Sequence, residues 1–171
     1  SRPRIPALAD HELNDEQRKA LEPYRGGEYG VFNIFRTFAH APRPLRRFGF
    51  WAGYILGRHN SLPPRERELV ILRVGVVCRA GYEWAQHVVI GRDAGLTDEE
   101  IERIKAGADA QGWSVADSIL LRAVDELVGD HFITDATWAS LADDAGLDDR
   151  QRMDVVFTTG QYTQVSMMLN T

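Results

Sequence analysis

The stretch from Leu69 to Cys78 reads LVILRVGVVC, and wound as a helix it is apolar on almost every side. Such a helix has no face to offer water, so other elements must wrap it. Pro63 and Pro64 stand just ahead of it and mark its start, because proline is tolerated only in the first turn. The neighbouring signals are helical too, and period-2 alternation between hairpin turns does not occur. The expected fold is all-α, a single-domain bundle of about eight or nine helices with the 66–78 segment at its centre.

Helix boundaries follow from capping chemistry. Asn14 with Gln17 forms a capping box before Ala20 and Leu21, and Val31, Ile34, Phe35 and Phe38 then mark one buried face. Pro42 and Pro44 separate that helix from the next, on which Leu45, Phe48, Ala52, Ile55 and Leu56 share a side. A short break at 79–81 precedes a helix over 82–94, closed by Gly95 where a left-handed residue ends a helix. Thr97 with Glu100, Ser114, Thr134, and Asp148 with Gln151 start four more, the last running to about Met168. Residues 1–13 read as a mobile lead-in, and no repeat or low-complexity tract appears.

Composition narrows the function. The 171 residues carry a formal charge of −5, whereas a nucleic-acid binder needs a concentrated basic surface. Apolar runs are too short to cross a bilayer, and the basic N-terminus lacks a secretory apolar segment. A cytoplasmic location is the default, although the chain begins at Ser1 and a processed leader stays open. The one cysteine, Cys78, has no internal disulfide partner, so packing alone must hold the fold.

The stretch CRAGYEWAQH, from Cys78 to His87, concentrates the chemistry. Glu83 and His87 stand four apart and share a helix face, which suits an acid/base pair and equally a solvated surface pair. Glu68 lies on the apolar helix, where an ionised carboxylate is costly without a partner. Arg65, Arg67 or Arg73 could supply one as a structural salt bridge; if the break at 79–81 folds the helices antiparallel, Glu68 instead approaches Glu83 and His87. Two ligands leave a zinc site short, so no metal site is expected. Tyr82 and Trp84 flank Glu83 as packing residues or as walls of a pocket for a ring-shaped ligand.

The run LPPRERELVILRVGVVCRAGYEWAQHVVIGRDAGLTDEEI resembles the core of the carboxymuconolactone decarboxylase family, which includes the AhpD-like alkylhydroperoxidases. The likeness centres on 61–107 and extends through FRTFAHAPRPL, DELVGDHFITDATWASLA and YTQVSMMLN. It implies an AhpD-like helical fold, a homo-oligomer (trimer or hexamer) and a site near subunit contacts. The peroxidase branch carries a glutamate, a CxxC pair and a histidine; Glu68 and His87 match the first and last, whereas the cysteine positions fall on Ala80 and Glu83. A peroxidase of that type needs a nucleophilic and a resolving thiol, and Cys78 cannot serve as both. The YEWxxH version is similar to the decarboxylase branch, which acts on a carboxylated unsaturated lactone without a cofactor.

Three functions follow as expectations. The first is a cofactor-free lyase or isomerase with a small-molecule substrate. His87 would be its acid/base, Glu83 would orient it, Glu68 would set its protonation, and Arg79 would anchor a substrate carboxylate. The second is a redox protein using Cys78, alone or with an outside thiol. The third is a non-catalytic helical oligomer that binds a small ligand. Phe48 to Trp51 adds apolar surface beyond one stripe, which independently favours assembly.

Overall fold

A computed structural model describes residues 3–25 and 30–171. Nine α-helices and no strand occur among them: α1 Asp15–Leu21, α2 Asn33–Phe38, α3 Pro42–Ile55, α4 Pro64–Val77, α5 Gly81–Asp93, α6 Asp98–Ala106, α7 Val115–Gly129, α8 Asp135–Asp143 and α9 Asp149–Asn170. The capping boxes of α1 and α6 form as the sequence predicts, as do the hydroxyl caps of Ser114 and Thr134. Asp148 and Gln151 exchange bonds of 2.8 and 3.0 Å at the start of α9. Gly95 takes φ 105°, a conformation open to it because it lacks a Cβ.

The helices gather into two compact units, residues 1–56 and 57–170. In the first, Leu13, Ala20, Leu21, Ala39 and Leu45 form the core, with Phe35 and Phe38 packed on it. Val31 joins the same cluster from the turn before α2 rather than from a helix, because α2 begins only at Asn33. Tyr24 stacks on Phe35 at 3.9 Å between centroids, and its hydroxyl lies where a Cβ on Gly49 would meet it at 2.5 Å. The glycine is therefore a contact requirement of α3. Ser1 and Arg2 of the N-terminal lead-in lie outside the described residues, and Arg36 holds the rest through Asp10 at 2.8 Å and the Leu8 carbonyl at 3.0 Å.

In the second unit α4 is the hub, packed against α5, α6, α7 and α9. Leu69, Val70, Ile71, Leu72 and Val74 are fully buried, as an all-round apolar helix requires. Its two outer arginines clamp the neighbours. Arg65 makes a bidentate pair with Asp117 of α7 at 2.9 and 3.1 Å and reaches Glu100 of α6. Arg73 makes a second pair with Asp125 of α7 at 2.6 and 2.9 Å and donates to the Ile104 carbonyl at the end of α6. None of this touches Glu68.

Helix α5 runs back along α4 after a turn in which Arg79 takes a left-handed φ of 55°. Small residues let the pair close: a Cβ on Gly91 would come within 3.2 Å of Leu72 Cδ1, and one on Gly75 within 3.4 Å of Glu83 Oε1. Helix α9, by contrast, runs parallel to α4. Asp154 near its start accepts two bonds from Ser61, while Asn170 at its end donates to the Cys78 carbonyl at 2.7 Å. No helix among the described residues is long and apolar enough to cross a membrane.

Candidate functional site

Helices α4, α5 and α9 converge on a buried polar cluster. Glu68 and Glu83 are 1% and 3% exposed, and His87 is buried with them. His87 Nδ1 lies 2.7 Å from Glu68 Oε2, so the antiparallel fold-back expected from the 79–81 break brings this pair together. An Nδ1–H donating to the Glu68 carboxylate fixes the ring's orientation and leaves Nε2 as the nitrogen that can exchange a proton with a ligand. Arg65 and Arg73 are committed elsewhere and Arg67 bonds the Gly57 carbonyl, so Glu68 is not held by an arginine salt bridge.

Glu83 shares a helix face with His87, yet its bond goes elsewhere. Ser166 of α9 donates to its Oε2 at 3.1 Å, while Oε1 is buried without a protein partner. The carboxylate hydrogen-bonded to the imidazole is that of Glu68, not Glu83. Burial pushes the Glu83 carboxyl up to about 8, against the smaller opposing effect of the Ser166 hydrogen bond. At neutral pH Glu83 is thus a neutral acid with a proton to give, beside an imidazole held by an acid.

Tyr162, one turn before Ser166, sets its ring edge-on to His87 at 4.9 Å between centroids. Burial, followed by the fields of Glu68 and Glu83, raises its phenol well above the usual value, which keeps it a donor. Neither Tyr162 nor Ser166 is evident in the sequence, because α9 shows no clean apolar stripe. Its buried side carries Asp154, Thr158, Thr159, Gln161, Tyr162 and Ser166. That concentration of polar side chains inside a helical core is the signal that could have found them.

The remaining residues of the 78–87 stretch are dispersed. Tyr82 is 42% exposed and Arg79 lies at the surface of the turn. Trp84 is half-buried beneath the Lys105 ammonium, 5.2 Å from its ring centroid. Cys78 is half-buried, and burial raises its thiol pKa despite hydrogen bonds from Ser166 and Thr163. A raised pKa means little thiolate at neutral pH. Among the described residues no three His, Cys, Asp or Glu side chains converge as a metal site.

Residues 42–126 match the sequence model of the carboxymuconolactone decarboxylase family. No curated protein sequence matches the chain. Among solved structures, it is similar to an uncharacterised peroxidase-related protein with an alkylhydroperoxidase AhpD core from Ralstonia eutropha JMP134, with TM-score 0.81 and 18% identity over 99% of this chain and 90% of that one. A second uncharacterised peroxidase-related protein, from Silicibacter sp. TM1040, has TM-score 0.78 and 20% identity over 96% and 87%. A protein of unknown function from Agrobacterium tumefaciens has TM-score 0.65 and 17% identity over 75% and 87%. At these identities the solved structures share the AhpD-like helical fold.

Proposed function

Starting from a chain that belongs to the carboxymuconolactone decarboxylase family, we propose that it is a cofactor-free lyase or isomerase acting by proton transfer on a small carboxylated lactone or ring compound. The supporting observation is the buried 2.7 Å contact between His87 and Glu68, with the neutral acid Glu83 one helical turn away. In a decarboxylation the bond to the carboxylate carbon breaks, CO₂ departs, and the electron pair passes into the conjugated ring carbonyl. A proton from His87 Nε2 or Glu83 then quenches the carbanion, and solvent restores it. Glu68 holds the ring in place through the Nδ1 contact. Tyr162 and Ser166 keep the two proton-bearing groups in register.

Steady-state turnover of carboxylated unsaturated lactones by the His87→Gln variant tests the assignment. Full activity in that variant ends it.

A second reading, peroxide reduction, draws support from the peroxidase-related solved structures. Here Glu83 occupies the position of the second family cysteine, and Cys78 would need an outside thiol as resolving partner. Its raised thiol pKa weighs against it. Rapid peroxide consumption, together with fast alkylation of Cys78 in the native protein, would replace the first reading with the second.

The chain would take a small-molecule substrate, act in the cytoplasm and assemble as a homo-oligomer, trimeric or hexameric. Assembly is supported by apolar side chains left exposed, including Phe50 at 79% and Met167 at 63%. Tyr82, Trp84 and Arg79 would then act from the rim of the site, near a subunit contact. A monomeric sedimentation profile at micromolar protein would remove that part.

A further inference from the structure

We infer that Arg67 is the anion anchor of this site, and that its ligand is a small planar carboxylate bound between α4 and α9 beside His87. This anchor rests on the acid–base reading and names the group that receives the ligand's charge.

Helix α4 carries three arginines close together, and they are treated differently. Arg65 and Arg73 each spend their guanidinium on a bidentate aspartate. Arg67 has no carboxylate partner among the described residues: Nη1 donates to the Gly57 carbonyl at 3.2 Å, and Nε is buried with no acceptor. A guanidinium offers five donors in one plane, shaped to take a carboxylate by two parallel bonds. A part-buried cation with a desolvated, unused N–H is costly unless something completes it.

Its location suits a ligand. The α9 register against α4 runs from Ser61–Asp154 at one end to Cys78–Asn170 at the other. Between them Tyr162 meets His87, whose partner Glu68 directly follows Arg67 in the chain. Arg67, Glu68, Tyr162 and His87 therefore lie at one level of the three helices, and the Arg67 charge is felt at the Tyr162 hydroxyl. Glu68 and Glu83 would repel an incoming anion, and Arg67 is the cation placed to offset them. The spare buried oxygens Glu68 Oε1 and Glu83 Oε1 add acceptor and proton-donor capacity for the rest of the ligand. Arg79, the alternative suggested by sequence, lies at the surface of the α4–α5 turn instead.

Titration of the full chain with benzoate, by calorimetry and by the His87 ring signals in NMR, tests the anchor without any turnover. The wild type should bind benzoate in preference to benzamide and shift the His87 signals. Arg67→Gln should weaken benzoate by about 10- to 100-fold, the range for losing a charged hydrogen bond. Arg67→Lys should fall between, because it keeps the charge and loses the fork. Arg122→Gln, at an exposed arginine of α7 paired with Asp109, should bind as the wild type. Equal affinity in Arg67→Gln and wild type, binding that leaves His87 unmoved, or no benzoate binding by the wild type would each overturn the assignment. Full turnover by a His87→Gln variant that still binds benzoate would defeat the acid–base reading and leave the anchor standing.

Discussion

Two regions of the second unit bury charge, and they bury it differently. Along one side of α4, Arg65 and Arg73 are locked to Asp117 and Asp125, with Glu100 and the Ile104 carbonyl completing the set. Along another, Glu68, Glu83 and Arg67 each keep at least one buried polar atom without a protein partner. The first region uses charge to fix three helices relative to one another. The second holds its groups in place with one or two bonds each and leaves valence for something that is not the protein. Saturated pairs of this kind hold structure, and the partly satisfied groups at the meeting of three helices are the ones the proposed site would use.

The largest effect that can break this contrast is on the open side. His87→Ala should reduce turnover by about 10²- to 10⁴-fold, the range for losing a general acid or base, while the melting temperature changes little. A variant that melts early and still turns over would put His87 in the structural class. On the saturated side the expectation is reversed. Asp125→Ala leaves Arg73, 13% exposed at its side chain, without its bidentate partner. It should cost about 2–3 kcal/mol in denaturant unfolding, below the value for a fully buried pair because Asp125 is partly exposed. Its kcat/KM should stay within about twofold of wild type, since no transition-state contact is lost.

Glu83 makes the stability of the open side depend on pH. Its carboxyl is raised from 4.5 to about 8 in the folded chain. A raised folded value means its contribution to stability is complete below the unfolded value near 4.5 and is lost as pH rises through about 8. Glu83→Gln cannot lose that proton. Its stability relative to wild type should therefore climb by a few kcal/mol across that window, read from paired unfolding curves, at about 1.4 kcal/mol for each pH unit separating the folded and unfolded values. A difference curve that stays flat would return Glu83 to the saturated class. The smallest effect belongs to Ser166→Ala, which removes the one hydrogen bond holding the Glu83 value down. The alkaline limb of the pH–rate profile should move up by about half a pH unit; a downward movement would mean the hydroxyl favours the neutral acid.

The sequence carries the fold well where backbone chemistry is local. Caps at Asn14, Thr97, Ser114, Thr134 and Asp148 sit where their side chains demand, because each needs only a residue three positions on. The burial of α4 is legible for a similar reason, since an apolar circumference permits no other placement. Glu68 and His87 can be paired from the sequence because a three-residue break leaves α5 little choice except to double back. Glu83 is harder. Spacing alone puts it with His87, but a shared face does not fix where a carboxylate bonds, and Ser166 comes from 83 residues away. Tyr162 and the orphaned Arg67 N–H are hidden similarly: they acquire meaning only through the α4–α9 register, which no local pattern encodes.

The turn between α4 and α5 makes the site a question of phase. Arg79 is wound in the left-handed sense, and Ala80 N bonds back to the Gly75 carbonyl at 2.8 Å, so the connection holds no slack. One residue added there would rotate everything after it by about 100° around the α5 axis. Leu72 and Gly91 would lose their contact, and the imidazole would swing off its carboxylate. Length at this join, more than composition, is what insertions and deletions in related chains would have to preserve.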